Sequence, residues 1–152
     1  MIQRIQTVFL ALAGLSGFSL FLKPMDFALL NGAGKSQEVQ AMLADGIFDV
    51  HDHISLTVLA VLLGFVPIVS IFLFKNRKLQ MSLDRFAVLV GLALLIVGGY
   101  FFYQAYEPVQ SVVQAQAGFG LAAPILSFIF LFLANRAISK DEKLVRSADR
   151  LR

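Results

Sequence analysis

The stretch that decides the fold is Ile54–Phe74, ISLTVLAVLLGFVPIVSIFLF, a run without a charge, preceded by His53 and followed by Lys75, Asn76, Arg77 and Lys78. A helix crossing the hydrocarbon core of a bilayer takes about 20 mostly apolar residues, so this segment predicts a membrane-spanning helix. Three other stretches approach the same length, at about 5–22, 86–103 and 118–134, the last ending at Asn135 and Arg136. The composition agrees: 58% of the 152 residues are hydrophobic and only 15% charged, and the mean hydropathy is +0.77. A soluble domain carries about 25% charged residues, so there is too little charge here to coat a water-soluble globule. Cys is absent and Gly and Pro number only 11 and 4, which excludes disulfide-stapled, collagen-like and disordered chains.

The first apolar run follows Met1-Ile2-Gln3-Arg4, as a signal peptide would, and Ala11-Leu12-Ala13 resembles a cleavage box. That box lies in the middle of the run rather than after it, so the segment is expected to stay as a helix. The expected fold is therefore all-α, an integral membrane four-helix bundle forming a single domain over 1–152.

Lys and Arg give the orientation. Arg4, Lys75, Arg77, Lys78, Arg85, Arg136, Lys140, Lys143, Arg146, Arg150 and Arg152 fall on one side of the four expected spans, and only Lys23 and Lys35 on the other. Basic residues are retained on the cytoplasmic side, so both termini are expected inside, and the pI near 9.5 reads as an orientation signal rather than as nucleic-acid binding. In the first outer loop, Ser36 is placed to cap a short helix running to Ala44. Tyr100, Tyr103 and Tyr106 gather where the third span leaves the membrane, as in an aromatic belt.

Within the spans there is no ionisable side chain, which argues against ion-coupled transport by this chain alone. Gln6, Thr7, Ser16, Ser19, Thr57, Ser70 and Ser127 are expected to serve helix packing, as are the small-residue pairs Ala13/Gly17 and Gly118/Ala122. Pro67 and Pro124 predict kinks, and a cavity between the second and fourth spans would suit a lipid or quinone.

Asp49, His51 and His53 form the one cluster with metal-ligand chemistry, at the outer mouth of the second span. A closed site takes about four ligands, and no further His or Cys exists to complete one. A solvated polar edge accounts for the cluster better. No phosphate-binding glycine loop and no nucleophile, base and acid set is present, so an enzyme is not expected, nor a cofactor.

After Asn135, Ser139 and Glu142 have the spacing of a capping box, predicting a separate cytoplasmic tail helix over 136–152 with Leu144, Ala148 and Leu151 on one face. Its charges and those of the 75–85 loop make a basic inner surface comprising Arg4, Lys75, Arg77, Lys78, Arg136, Lys140, Lys143, Arg146 and Arg150.

Three stretches carry a resemblance: 1–7 (MIQRIQT), 72–80 (FLFKNRKLQ) and the tail from Ala134-Asn135-Arg136 through 140–152 (KDEKLVRSADRLR). They resemble a domain-of-unknown-function family of small four-helix inner-membrane proteins of the Bacteroidota. The resemblance implies a bacterial inner membrane and the same topology, and it supplies no catalytic residue. All three stretches lie on or beside the expected cytoplasmic face. The expected function is a non-catalytic accessory or scaffold subunit of an inner-membrane complex, contacting the bilayer and partner proteins through that face and not nucleic acid. Alternatives are a lipid- or quinone-binding carrier and an outer-face metal or signal sensor.

Overall fold

A computed structural model describes residues 3–31, 46–111 and 113–149. Four helices carry the fold: α1 (Gln3–Ser19), α2 (Ile54–Phe72), α3 (Arg77–Tyr106) and α4 (Ala122–Asp149). Helix α1 packs against α2 and α4, and α3 against the same two, which closes a ring of four. The hydrogen bond from Gln6 to Asp141 puts the start of α1 beside the last turns of α4.

The buried positions recur at alternating steps of three and four: Gln6, Leu10, Ala13, Gly17 and Leu20 along α1 and its following turn, and Leu56, Ala60, Leu63, Pro67 and Ser70 along α2. The same steps give Gln80, Asp84, Ala87, Gly91, Leu94 and Gly98 on α3, and Pro124, Ser127, Leu131, Ala134, Ile138 and Asp141 on α4. This is the spacing of an interhelical seam in which each side chain inserts between those of the facing helix. Large apolar residues outside the seam, such as Val58, Phe65, Leu89, Ile96 and Phe132, remain exposed. So wide an apolar exterior is compatible with contact with hydrocarbon.

Small residues set the closest approach. A Cβ placed on Gly17 would lie 2.5 Å from the backbone nitrogen of Gly64, and one on Gly14 would lie 2.7 Å from Ile68 Cγ1. The Ala13/Gly17 pair thus serves helix packing as its spacing predicts. The Gly118/Ala122 pair does not: Gly118 precedes α4, and a Cβ there would run into the Asp26 carbonyl of the loop after α1.

Helices α2, α3 and the one spanning Phe119–Val145 are long and apolar enough to cross a membrane, whereas α1 is a shorter apolar helix. It ends at Ser19 because the next turn tightens: Phe21 N–H bonds the Phe18 carbonyl at 3.2 Å and Leu22 N–H that of Ser19 at 2.9 Å, and Lys23-Pro24 follow.

The all-α expectation needs correction at the end away from Gln6 and Asp141. Strands β1 (Ala28–Asn31), β2 (Ile47–Phe48) and β3 (Gln114–Ala117) form an antiparallel sheet in the order β2-β1-β3. Ala28 faces Phe48 on one side and Ala117 on the other, so the sheet sews the α1–α2 and α3–α4 connections together. Gly118 N–H to the Phe27 carbonyl (2.9 Å) and Gly120 N–H to that of Asp26 (2.8 Å) extend the pairing to the start of α4. Phe27, Leu30 and Phe48 then bury onto Leu20, Val50, Leu56 and Leu94 beneath. The expected outer-loop helix from Ser36 lies outside the described residues.

Two further boundaries differ. The fourth span and the tail are one continuous helix, and Ser139 caps nothing because no proline or glycine interrupts the chain between Ile125 and Asp149. The expected inner loop is mostly helix, since Asn76 caps α3 by accepting the Leu79 N–H at 3.2 Å.

Gly17→Ala is expected to lower stability by about 1–3 kcal/mol, because backbone cannot yield as a flexible side chain does. Gly99→Ala, where a Cβ meets nothing within 4 Å, should leave it unchanged or raise it. Thermal unfolding in detergent followed by circular dichroism compares the two.

Candidate functional site

The seam turns polar at the end where α1 begins and α4 leaves the bundle. Gln6 Nε2 donates to Asp141 Oδ2 at 2.5 Å, linking α1 to α4, and Ser70 Oγ donates to Asp84 Oδ1 at 2.7 Å, linking α2 to α3. Arg77 Nη1 reaches the Asp141 backbone carbonyl at 3.4 Å. Gln80, Asp84 and Asp141 are all buried, and Gln80 Oε1, Asp84 Oδ2 and Asp141 Oδ1 have no hydrogen-bond partner among the described residues. Interhelical bonds of this kind contribute about 0.6 kcal/mol each within a membrane, so their main effect is on register, since a slipped helix leaves a buried polar group unpaired. Of the other polar residues assigned to packing, Ser16 and Ser19 bond within their own helix, to the Leu12 and Ser16 carbonyls, and Thr57 bonds the Val50 carbonyl.

Beyond this layer lies an open groove of about 670 Å³, lined by Phe74, Lys75, Asn76, Arg77, Lys78, Glu142 and Val145. Of the predicted contact residues the structure therefore brings Lys75, Arg77 and Lys78 together against the final turns of α4. Arg136, Lys140 and Lys143 are exposed along α4 but do not line the groove. The side chains of Arg4 and Arg146, and Arg150 altogether, lie outside the described residues.

The tail presents a different face from the one its isolated pattern predicts. Its inward residues are Ile138 and Asp141, which continue the seam from Leu131 and Ala134, while Leu144 is 51% exposed. The next seam step from Asp141 is Val145, which is 46% exposed and lines the groove.

At the opposite end, Asp49 and His51 come together while His53 turns aside. His51 Nδ1 lies 3.1 Å from Asp49 Oδ2, and the Asp49 carboxylate also accepts the His51 backbone N–H at 2.6 Å. His53 stacks on Phe101 with ring centroids 3.7 Å apart. Among the described residues no group of three or more His, Asp and Glu side chains is placed to hold a metal ion. Pro67 and Pro124 are fully buried, and an apolar cavity lies between α3 and the sheet.

The model of the family described as a domain of unknown function, DUF4293, matches residues 2–151. The chain belongs to this family. No curated protein and no solved structure matches it. In this DUF4293 chain the match takes in both the polar seam and the groove beyond it. The sequence alone groups the three bases around the start of α3, whereas Gln80 and Asp84 fall in the expected 75–85 loop and the local pattern does not single out Asp141. The signal that finds Asp141 is the spacing itself, carried on from Ser127 through Leu131, Ala134 and Ile138.

Asp141→Ala strands the Gln6 amide as a buried donor and is expected to cost about 1–3 kcal/mol. Asp141→Asn keeps an acceptor there, and Gln6→Leu combined with Asp141→Leu removes both partners, so both should lie nearer the parent. Unfolding midpoints of the three variants check this order.

Proposed function

We propose that the protein is a non-catalytic accessory or scaffold subunit of a bacterial inner-membrane complex, crossing the bilayer four times with both termini in the cytoplasm. Partners dock on its basic inner end. The observation that carries this reading is the position of Val145: one seam step beyond Asp141, this apolar residue stands exposed in the groove with Lys75, Arg77, Lys78 and Glu142. An exposed apolar seam position beside three bases suits the docking of an amphipathic segment with acidic flanks.

Four crossings place both ends of the chain on one side, in keeping with the Gln6–Asp141 contact. The charge asymmetry assigns that side to the cytoplasm. Although α1 has only 17 helical residues, the apolar run continues through Leu20, Phe21 and Leu22. A helix of that length reaches across by local thinning of the bilayer.

A tagged chain crosslinked in membranes and purified in mild detergent should carry a partner at fixed stoichiometry. Lys75→Glu with Lys78→Glu, or Leu144→Ser with Val145→Ser, should abolish that capture without lowering the unfolding midpoint, because all four side chains are exposed. A single monodisperse species with nothing crosslinked to it would overturn the proposal, as would capture indifferent to both double variants.

A further inference from the structure

The cavity between α3 and the sheet has a volume of about 280 Å³. Its walls include Leu94, Gly98, Gly99 and Phe102 from α3, Gln116 from β3 and Leu121 from the turn before α4. Gln116 is the one polar side chain in the lining, and no ionisable group takes part. Water held in such a space needs two to four polar partners, which these walls do not provide. Left unfilled, the walls forfeit the dispersion contacts that a packed interior makes.

The space exists because of two glycines. A Cβ on Gly99 would meet nothing within 4 Å, and one on Gly98 would only touch Leu56 at 3.7 Å. Neither glycine is needed for close helix packing, unlike Gly17 or Gly64. Gly99 also ends a surface track. Leu89, Leu92 and Ile96, at steps of three and four, stand 63%, 45% and 71% exposed on the outside of α3, and the next step along that face is Gly99. The ridge of large side chains is interrupted at Gly99, which lines the cavity. Tyr103, the next step along that face, is 64% exposed and Phe119 is 78% exposed, the aromatic placement of a membrane interface.

We propose that this cavity is a binding site for one hydrocarbon chain of a membrane lipid, held beside Phe102 beneath the sheet at the end next to its polar group and running out along the Leu89, Leu92 and Ile96 track into the bilayer. An uncharged, flexible chain matches the uncharged walls, and the bilayer supplies such chains at high concentration. Gln116 stands at the wall to meet the polar end of the lipid. The site depends on the helices lying in a membrane but not on docking at the inner end, so either proposal can fail alone.

The test uses the full chain in nanodiscs of phosphatidylethanolamine and phosphatidylglycerol containing a trace of phospholipid with a diazirine on one acyl chain. After illumination, label should concentrate on peptides covering 94–102 and 115–121, well above that on the lipid-facing side of α2 around Val58 and Phe65. Gly99→Leu fills the space without a clash and is expected to lower that label by about tenfold at an unchanged unfolding midpoint. Because the chain contains no Trp, Leu121→Trp provides a second measurement: dibrominated acyl chains should quench its fluorescence, and adding Gly99→Leu should relieve the quenching. Competition by unlabelled phosphatidylglycerol or by an unlabelled polyisoprenoid identifies the source of the chain, and success of either supports the site. Label spread evenly over lipid-facing residues, or label and quenching untouched by Gly99→Leu, would overturn it.

Discussion

The contact on which the rest of this structure depends is the meeting of α1 and α2 backbones at Gly17 and Gly64, where no Cβ fits between them. In hydrocarbon, apolar side chains gain little by leaving lipid for one another, so close packing must supply what water exclusion supplies in a soluble core. Bringing α1 this near α2 sets its height in the bundle. That height delivers Gln6 to Asp141 at one end and the Lys23-Pro24 turn, followed by β1, at the other. The short first helix is held where its ends can be tied.

Those two ties differ in kind. At the end where α1 begins, four polar side chains on four helices make two hydrogen-bonded pairs, Gln6 with Asp141 and Ser70 with Asp84. At the opposite end the link is made by backbone, through β1 between its two partners. Between them the seam is apolar except for Ser127. Register is therefore specified at the extremities, and the middle is left to shape.

Much of this was legible in the sequence, though unevenly. Ile54–Phe74 announced α2 because it is apolar all round and sharply bounded by charge. The bases of the inner turn were visible for the same reason. The sheet was not, because Ile47–Phe48 is too short to show alternation and Gln114–Ala117 is exposed throughout, so neither segment carries a strand pattern of its own. Their pairing comes from tertiary proximity. Asp84 and Asp141 were hidden for another reason: a carboxylate is ordinarily assigned to solvent, and only the three-and-four spacing running through both residues places them inward. The glycines at 98 and 99 carry no side-chain pattern to read, and in the structure they line a space.

The sheet also carries a history of assembly. Strand β1 leaves the ribosome long before β3, and the two hydrogen-bond only if everything made between them, the whole hairpin of α2 and α3, has brought both connections to one end of the bundle. A chain in which that hairpin failed to fold back would keep its β1 edge bare. The finished sheet thus records the return of the chain, since its two longest strands can meet only when α2 and α3 lie side by side.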